Sequence, residues 1–556
     1  MTEPRDPLTE AQPPGRPDGG SGADRLWWYR DVRQPAPAPR RRLRRPGRPT
    51  LLDALACLSL SALCFSQARS ETLFRADWDF YRRVPLGAPV LLAFALNLVA
   101  LAAVGLLAVQ GIRRLRGPVW SRAGAVAAAS ALLVALNYVR LASETVGRWT
   151  GAVGAPALLA AAAVVLAAAL VWPRPALRGV HGLALVASPL AVGALVQAFW
   201  MFLELAAGPM WARTDPAPLD QAAPSLRRVV WLVFSELDQR LAFDERPAGL
   251  DLPELDRLRR EAVYAGAAHP PAGATEISMP ALITGRPVVA VAATSPNDLV
   301  LTFAHGKAAR WSVSPNVFSR VRVLGYDAAA IGWHLPYPRV LGASLGAADW
   351  RSSIAHEQTR GETFVETLLN QWGSLVPPLH ARRLLVQRFT QLGERALRTA
   401  TDGRFALVLV HLPVPRPPGI YDPGTERLTA WHFGGDLDGY LDNLVLADRM
   451  LGELRRALQR ARQDDRTWLV VTSDHWWRGA RRDDGQEDHR VPFLVRPPDG
   501  DRAVHVDAPF NTLLAHDLVI SILRGSITGA TDVGTWLAGR AMAPPRGYTP
   551  EGRPVY

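Results

Sequence analysis

The chain divides into a first part with five long apolar stretches and a second part whose pattern is that of a water-soluble domain. The apolar stretches lie at about 51–68, 87–112, 119–141, 151–172 and 180–207. Each is close to the ~20 residues that an α-helix needs to cross a hydrocarbon layer of ~30 Å. The sequence therefore predicts a transmembrane domain with five helices at 51–207, joined by a linker at 208–225 to a soluble domain at 226–540.

Loop charges predict the orientation of these helices. An arginine cluster at 113–116 follows the second stretch, and arginines at 174 and 178 follow the fourth. A Pro-, Gly- and Arg-rich tail at 1–50, which we expect to be disordered, adds further cations. Because positive loops stay in the cytoplasm, the tail and both clusters are assigned to the cytoplasmic side. An odd number of spans then places the soluble domain outside the cytoplasm.

Composition excludes two classes of function. The net charge is +12, but its excess is concentrated in the N-terminal tail, and no basic face with interleaved aromatics indicates nucleic-acid binding. The only cysteines, Cys57 and Cys64, lie in the first apolar stretch. The soluble domain therefore contains neither a disulfide nor a catalytic cysteine.

Short apolar runs alternate with amphipathic helical patterns after residue 226, which predicts an α/β domain with a largely parallel sheet. The predicted strands are Val229–Phe234, Val288–Ala293, Ala406–Val410, Trp468–Val471 and Val491–Val495. The predicted helices are Leu252–Ala262 and Tyr440–Arg462. Proline-rich residues at 541–556 are predicted to form a tail.

Polar residues follow two of these strands directly. The run Val229–Phe234 ends in Ser235-Glu236, and Trp468–Val471 ends in a Thr-Ser-Asp-His sequence that contains Asp474 and His475. Ligands gather at the carboxyl ends of strands in α/β sheets. A Glu, an Asp, a His and a hydroxyl that meet there can bind a divalent metal and activate the hydroxyl as a nucleophile. An enzyme is the leading interpretation.

The soluble domain resembles the alkaline phosphatase/sulfatase superfamily over residues 226 to about 530. The residues that carry the resemblance are Val229–Glu236, Leu255–Leu258, Ala281–Arg286, Gly325-Tyr326, Gly332–Leu335 and Ser473–His475, in this order. They are similar, respectively, to the first metal strand, the helix after it, the end of the sulfatase nucleophile motif, the two parts of a "GY…GKWHLG" element and the "SDHG" motif. The resemblance implies an alkaline-phosphatase-like fold.

One branch of the superfamily fits the nucleophile position best. Sulfatases have a cysteine that becomes formylglycine where this chain has Thr275. The sequence Thr275-x-x-Ser278-x-Pro280 instead resembles the threonine motif of phosphoethanolamine transferases. Those enzymes and the lipoteichoic acid synthases also have five spans and an external catalytic domain. The resemblance implies a bacterial cytoplasmic (inner) membrane protein with its catalytic domain on the periplasmic or extracellular side.

The resemblance also implies the roles of particular residues. It assigns one divalent metal, zinc or manganese, to Glu236, Thr275, Asp474 and His475. It makes Thr275 the catalytic nucleophile and His489 a second catalytic residue. The substrate-binding candidates are His334, His411 and Arg416.

We expect a transferase that moves a phospho-group from a phospholipid donor to an envelope glycolipid or polysaccharide through a phospho-threonine. A phosphodiesterase or hydrolase of the same fold, and a catalytically decayed envelope scaffold, are the alternatives. Two departures keep them open: Arg416 stands where many relatives have a substrate histidine, and Ser235 stands where two-metal relatives have an aspartate.

Structural roles are also open for several of these residues. Thr275 could cap a helix, His475 could be a satisfied core histidine, and His489 could lie in a surface loop. The pair Trp476-Trp477 could pack in the core or border a lipid-facing cleft.

Overall fold

A computed structural model gives the fold. It describes residues 50–73, 79–115, 117–205, 215–220, 225–356, 362–431, 434–480, 485–498, 500, 503–540 and 542–556. The predicted disordered tail, apart from residue 50, lies outside the described residues, as does most of the predicted linker.

Eight helices make up the described part of the N-terminal half. They are α1 (Leu51–Cys64), α2 (Ser66–Leu73), α3 (Ala88–Arg114), α4 (Pro118–Ala142), α5 (Glu144–Val153), α6 (Ala155–Val171), α7 (Pro173–Val186) and α8 (Ser188–Glu204). Thr50 and Asp53 form a capping box at the start of α1. Several of the others have proline in their first turn, where the missing N–H would have no helical partner.

Three of the described helices are long and apolar enough to cross a membrane. They are α3, α4 and the continuous segment Pro173–Glu204, which comprises α7 and α8. The pair α1 and α2 adds a fourth span if it is counted as one, although it bends by 74°. The fourth predicted stretch forms α6, an apolar helix of 17 residues that is shorter than these three. Among the described residues, the N-terminal helices are therefore long and apolar enough for three or four membrane spans, which is consistent with a membrane protein.

The C-terminal half is an α/β domain. Its strands are β1 (Arg228–Ser235), β2 (Val263–Ala265), β3 (Ala268–His269), β4 (Val288–Ser295), β5 (Asp298–Phe303), β6 (Ala308–Arg310), β7 (Asp327–Trp333), β8 (Ala347–Arg351), β9 (Phe405–Pro415), β10 (Tyr421–Asp422), β11 (Arg427–Leu428), β12 (Thr467–Ser473), β13 (Phe493–Arg496), β14 (Val504–His505), β15 (Phe510–Asn511), β16 (Gly547–Tyr548) and β17 (Pro554–Val555). Its helices are α9 (Pro253–Glu261), α10 (Thr275–Thr284), α11 (Val317–Val323), α12 (Tyr337–Leu341), α13 (Phe364–Trp372), α14 (Pro377–Ala400), α15 (Asp436–Arg460), α16 (Leu514–Arg524) and α17 (Ala530–Ala538).

The main sheet has eight strands in the order β14-β2-β13-β12-β1-β9-β7-β8. The run from β12 to β8 is parallel throughout, and β13 is antiparallel to both of its neighbours. This confirms the largely parallel sheet. One predicted strand lies elsewhere, because β4 pairs with β5 in a separate antiparallel sheet of three strands.

Strand β1 shows how the sheet forms two cores. Val229, Trp231 and Val233 pack on one face, with residues of α10, α11 and α16. The alternate residues Val230, Leu232 and Phe234 pack on the other face, with residues of α9, α14 and α15. A strand covered by helices on both sides has no solvent-facing positions, which explains its uninterrupted apolar run.

A serine joins the carboxyl ends of the two central strands. The Ser473 hydroxyl accepts a hydrogen bond from the backbone N–H of Leu237 at 2.7 Å. The same oxygen lies 3.0 Å from the carbonyl oxygen of Phe234 and 2.7 Å from that of His475. The next residue before it, Thr472, is equally buried, but its hydroxyl has no hydrogen-bond partner among the described residues.

These neighbouring hydroxyls give a stability prediction. Ser473→Ala removes the partner of a buried N–H, so we expect a loss of about 1–3 kcal/mol in the free energy of unfolding. Thr472→Val replaces an unpaired hydroxyl with a methyl group and should be neutral or stabilising. Thermal unfolding of the purified full chain in detergent would test both variants. Equal melting temperatures for the two would contradict the role of Ser473.

Candidate active site

The Asp474 carboxylate is the centre of a buried polar cluster at the carboxyl edge of the sheet. Its Oδ2 accepts a hydrogen bond from Thr275 Oγ1 at 2.6 Å and from Ser235 Oγ at 3.3 Å. Its Oδ1 accepts from the backbone N–H of Glu236 at 3.1 Å and of His475 at 2.8 Å. Burial by itself would raise the pKa of Asp474, but the nearby histidines and the Thr275 hydrogen bond lower it well below its usual value. The carboxylate is therefore held ionised.

Thr275 is the first residue of α10, and its hydroxyl does not cap that helix. Residue Ala274 occupies the N-cap, where no side chain bonds to the helix. The hydroxyl of Thr275 is directed to Asp474 instead, which excludes the capping role. Ser278, one turn further on, donates its own hydroxyl to the backbone carbonyl of Asp474 at 2.6 Å. The positive end of a helix beside Thr275 favours negative charge at its oxygen or on an attached group.

The ring of His475 is oriented by a backbone carbonyl. Its Nδ1 lies 2.9 Å from the carbonyl oxygen of Trp476, which can only accept, so Nδ1 carries the proton. The lone pair of the neutral ring is then at Nε2, which lies 3.4 Å from Thr275 Oγ1 and 3.7 Å from Asp474 Oδ2. Burial lowers the pKa of His475, while the neighbouring Asp474 carboxylate acts in the opposite direction. His475 is thus a built part of this cluster, not a core histidine satisfied elsewhere.

Two arginines flank the Glu236 carboxylate. Nε of Arg416 lies 3.6 Å from Glu236 Oε1, and a terminal nitrogen of Arg478 lies 3.9 Å from the same atom. The three residues line an open cavity of about 380 Å³. Both guanidinium groups are partly exposed, at 35% and 39% of their side-chain area, so they can also meet a bound anion.

Arg416 reaches this position because of the strand that precedes it. Its backbone N–H donates to the carbonyl oxygen of Ser235 at 3.1 Å, which ties the end of β9 to the end of β1. Its guanidinium lies 5.5 Å from the centre of the Trp333 ring, where the two stack as a cation–π pair.

Two more predicted histidines lie near the cluster. Nε2 of His411 is 3.6 Å from Asp474 Oδ2 and has no hydrogen-bond partner among the described residues, while Nδ1 lies 2.9 Å from the Tyr337 hydroxyl. His334 is bound through Nδ1 to Ser353 at 2.8 Å, and burial lowers its pKa.

Backbone strain marks two of the candidate residues. Glu236 has φ 66° and His334 has φ 69°, in the left-handed region that non-glycine residues seldom occupy. Each follows directly on a strand of the main sheet, β1 and β7 respectively. Such strain is common at functional sites, where the surrounding structure enforces it.

His489 lies one aromatic layer away from the cluster. Its ring packs on Trp476 and Tyr548, with centroid distances of 4.4 and 5.0 Å, and its Nε2 is 3.7 Å from Glu487. Trp476 separates it from His475, whose ring centroid is 6.3 Å from that of the tryptophan. None of the described contacts of His489 is with Thr275 or Asp474.

The C-terminal residues predicted to form a tail are built into this region instead. Strands β16 and β17 pair as a hairpin, and the backbone N–H of Gly273 donates to the carbonyl oxygen of Gly552 at 2.8 Å. A Cβ at Gly273 would lie 2.4 Å from the Trp476 ring, so only glycine fits there. The hairpin braces the loop that leads to Thr275, which explains why these residues are ordered despite their prolines.

A divalent metal requires several donor atoms around one point, and the polar cluster contains candidates for such donors. Among the described residues, no group of three or more His, Cys, Asp and Glu side chains is arranged to hold a metal ion. Thr275 Oγ1, Asp474 Oδ2 and His475 Nε2 nevertheless lie 2.6–3.7 Å from one another, and the histidine lone pair faces the other two atoms. These three atoms are of donor types that bind divalent metals, and they lie together. The Glu236 carboxylate faces the two arginines instead.

Sequence reasoning missed several residues that line the site. Arg478, Trp477, Asp436 and Pro550 line the cavity beside Glu236. Arg478 follows the Asp474-His475 pair by only a few residues, so its proximity along the chain was an available signal. Trp477 is buried against Tyr440 and also lines the cavity, so it has the packing role that was one of its two interpretations.

Comparison with known proteins places the chain in a family. A sequence model of the family named Sulfatase matches residues 228–524, which is more than half of the chain. A search of curated protein sequences finds no match.

Solved structures with a similar fold include three of different origin. Ps i-CgsB, in complex with k-i-k-neocarrahexaose, has 15% identity and a TM-score of 0.40, covering 56% of this chain and 76% of its own. Phosphonate monoester hydrolase of Agrobacterium radiobacter has 13% identity and a TM-score of 0.34, covering 54% and 74%. Murine ectonucleotide pyrophosphatase/phosphodiesterase 5, in complex with AMP, has 10% identity and a TM-score of 0.35, covering 54% and 95%.

The family match spans β1, the Thr275 helix, the Asp474-His475 pair and α16, so it includes the whole polar cluster described above. The suspected superfamily is confirmed. The chain belongs to the sulfatase family of the alkaline phosphatase superfamily and has that superfamily's hydrolase fold.

Proposed function

We propose that the protein is a membrane-bound transferase that moves a phospho-group, such as phosphoethanolamine, from a phospholipid donor to an envelope glycolipid or polysaccharide. The observation that carries this proposal is the Thr275 hydroxyl, held 2.6 Å from Asp474 Oδ2 at the start of a helix. With no cysteine in the soluble domain, a hydroxyl is the nucleophile that this chain offers for the family's chemistry.

The reaction has two displacements at phosphorus. Thr275 Oγ attacks the donor phosphodiester, a Thr–O–P bond forms, and the bond from phosphorus to the lipid alcohol breaks. The hydroxyl proton is directed to Asp474 Oδ2, and the departing lipid oxygen takes up a proton. An acceptor hydroxyl then attacks the phospho-threonine. Its oxygen bonds to phosphorus and gives up its proton, the Thr–O–P bond breaks, and the Thr275 oxygen takes up a proton.

Positive charge around the cavity supports a phosphate ester as substrate. Arg416 and Arg478 can each donate to phosphoryl oxygens, and both flank the cavity beside Glu236. Arginine stays charged and cannot act as a general acid, so Arg416 would bind and orient the phospho-group where relatives use a histidine. His489 packs on Trp476, and we assign it to the acceptor side of the site.

Contact with the membrane half supports a lipid donor. Tyr81, between α2 and α3, stacks on His334 with a centroid distance of 4.7 Å. Burial lowers the pKa of His334 most, and the nearby guanidinium charge of Arg416 lowers it further. A residue of the membrane half thus borders the candidate site, which suits a substrate that enters from the lipid layer.

The nucleophile is tested with two substitutions. Thr275→Ala should abolish turnover, since the attacking oxygen is lost, while Thr275→Ser should retain part of it. In protein trapped with phosphatidylethanolamine vesicles, mass spectrometry should find the adduct on Thr275 within the tryptic peptide of residues 261–307, since the Arg286-Pro287 bond resists trypsin. Ser278→Ala is the control, because that hydroxyl is used in a bond to Asp474 and the adduct should persist. An adduct on Ser278, or full activity of Thr275→Ala, would overturn the assignment.

The same experiment separates the alternatives. A transferase passes the phospho-group to a glycolipid or glycan. Mass spectrometry of the envelope of a deletion strain would then show that this modification is missing. A hydrolase of the same fold forms the adduct but releases the group to water. A decayed scaffold forms no adduct, and its deletion phenotype is rescued by Thr275→Ala.

We also propose that one divalent metal, zinc or manganese, is bound by Thr275, Asp474 and His475, with Glu236 as the fourth ligand. Such a cation would lower the pKa of the Thr275 hydroxyl and offset charge on the phosphoryl group. Three of the donors already lie within 3.7 Å of one another. Ser235 cannot supply a second carboxylate, which favours a single ion.

Metal content is the measurement for this site. Elemental analysis of the purified full chain should find about one equivalent, and the isosteric Asp474→Asn variant should lose it because a neutral amide is a weaker ligand. His489→Ala is the matched control and should keep the metal, since its ring packs on Trp476 and Tyr548. Unchanged metal in Asp474→Asn would refute the proposed ligand set.

Five spans, with the catalytic domain outside the cytoplasm, are our proposal for the topology. Two contacts support it. Tyr138, near the end of α4, donates to Leu375 of the catalytic half, whereas His181 in α7 lies 4.0 Å from Asp53 at the start of α1. Asp53 also pairs with Arg113 of the cytoplasmic arginine cluster. These contacts support a crossing between 142 and 181, where α6 is the apolar helix.

Reporter fusions test the crossing by α6. Alkaline phosphatase fused after residue 143 or 210 should be active, and fusions after residue 115 or 178 should be inactive, because the reporter folds only outside the cytoplasm. The same activity after 143 and 178 would show that α6 does not cross.

A further inference from the structure

Helix α13 is an unusual element of the catalytic half because it exposes apolar side chains. Phe364, Val365, Leu369 and Val376 are 41%, 62%, 61% and 54% exposed. The described part of the chain after residue 225 has ten large exposed apolar side chains, and four of them lie in this stretch of 13 residues. An apolar patch of this density on a water-soluble domain indicates a contact surface.

Helix α13 is also bound to the membrane helix α3, by a buried polar network. The amide nitrogen of Asn97 donates to the carbonyl oxygen of Leu368 at 3.1 Å and to the side chain of Gln371 at 3.0 Å. Trp372 Nε1 donates to the Asn97 oxygen at 2.6 Å. Gln371 also donates to the carbonyl oxygen of Val90 at 3.0 Å. The polar residue in the middle of an apolar span is thus explained by this docking.

Other membrane helices contact the same segment. The ring of Trp372 lies edge-on to Phe65, with 6.0 Å between centroids, at the junction of α1 and α2. The hydroxyl of Tyr138 in α4 donates to the carbonyl oxygen of Leu375 at 2.5 Å. Segment 364–376 is therefore packed against the ends of three membrane helices that face the catalytic domain.

The depth of these contacts identifies what covers the exposed side. Val90 and Asn97 lie within the first ten residues of α3, which correspond to about 15 Å of helix, or the nearer half of a ~30 Å hydrocarbon layer. At the same level α3 exposes Leu92, Leu96 and Val99, each about half. Those side chains belong to a helix long and apolar enough to cross a membrane, so lipid is their surrounding.

The charge pattern of the segment agrees with lipid as its surrounding. From 364 to 376 the only charged residue is Glu366, in the first turn, where its carboxylate accepts hydrogen bonds from the backbone and hydroxyl of Thr363. The residues after it up to Val376 carry no charge. A helix with one polar end and an apolar exposed face is suited to the boundary between headgroups and acyl chains.

We propose that α13 and the residues after it as far as Val376 are embedded in the membrane. Phe364, Val365, Leu369 and Val376 are then buried among the acyl chains of the leaflet that faces the catalytic domain. The partner is the lipid bilayer itself. The helix follows β8 and the Ser353 that holds His334, so it fixes this side of the catalytic domain to the membrane surface.

Photolabelling of the unmodified full chain tests the proposal. In phosphatidylcholine–phosphatidylglycerol liposomes that contain a lipid with an acyl-chain diazirine, the tryptic peptide 361–382, which carries α13, should be labelled several-fold more than the peptide 311–320. The control peptide carries Val313, which is 72% exposed on the same domain. Equal, low labelling of the two peptides would overturn the proposal.

Spin-label accessibility distinguishes lipid from a protein partner. With Cys57 and Cys64 replaced by alanine, labels at Val365 and Leu369 should collide with oxygen more than with a water-soluble nickel chelate, as a label at Leu107 of α3 should. A label at Val323, 85% exposed, should show the reverse. Nickel access at 365 and 369 like that at 323 would place α13 in water. Exclusion of both reagents would mean that another protein or a second copy covers it, which also refutes the proposal.

Discussion

The buried carboxylate of Asp474 is the interaction on which the rest of the site depends. It receives hydrogen bonds from the hydroxyls of Thr275 and Ser235 and from the backbone of Glu236 and His475. Leaving a fully buried carboxylate without such partners would be costly, so the ends of the strands and the start of α10 are held in one arrangement. The same hydrogen bonds that stabilise the charge also orient the Thr275 hydroxyl, the proposed nucleophile.

The second constraint is the attachment of the catalytic domain to the membrane helices. Asn97 and Tyr138 bond to the α13 segment, and Tyr81 stacks on His334 at the candidate site. These contacts give the polar residues of the membrane half a structural purpose, since an unpaired polar group in a hydrocarbon layer is expensive. They also bring the site close to the layer from which we propose the donor lipid is taken.

Much of the architecture was predictable because it depends on local pattern. The runs 229–234, 406–410 and 468–471 are apolar at every position, since their strands are covered on both faces, and each was located to within a few residues. The exception is 288–293, which has a similar composition but pairs in a separate antiparallel sheet. Composition alone does not tell which neighbour a strand finds. The fourth apolar stretch was also located, but helix breaks around it leave only 17 residues in α6.

The sequence by itself determined the family, the division into membrane and soluble halves, and the four residues proposed around the metal. Each of these follows from short contiguous motifs, or from the periodicity and length of the apolar stretches. Tertiary structure decided which side chains meet. His411 lies beside Asp474, whereas His489 packs on the Trp476 ring. Arg478 and Arg416 both line the cavity. Tertiary structure also decided that the proline-rich terminus forms a hairpin against the loop before Thr275. It likewise decided that α13 packs on the membrane helices. Such contacts join residues up to hundreds of positions apart, and they depend on strand order and packing, which no local pattern encodes.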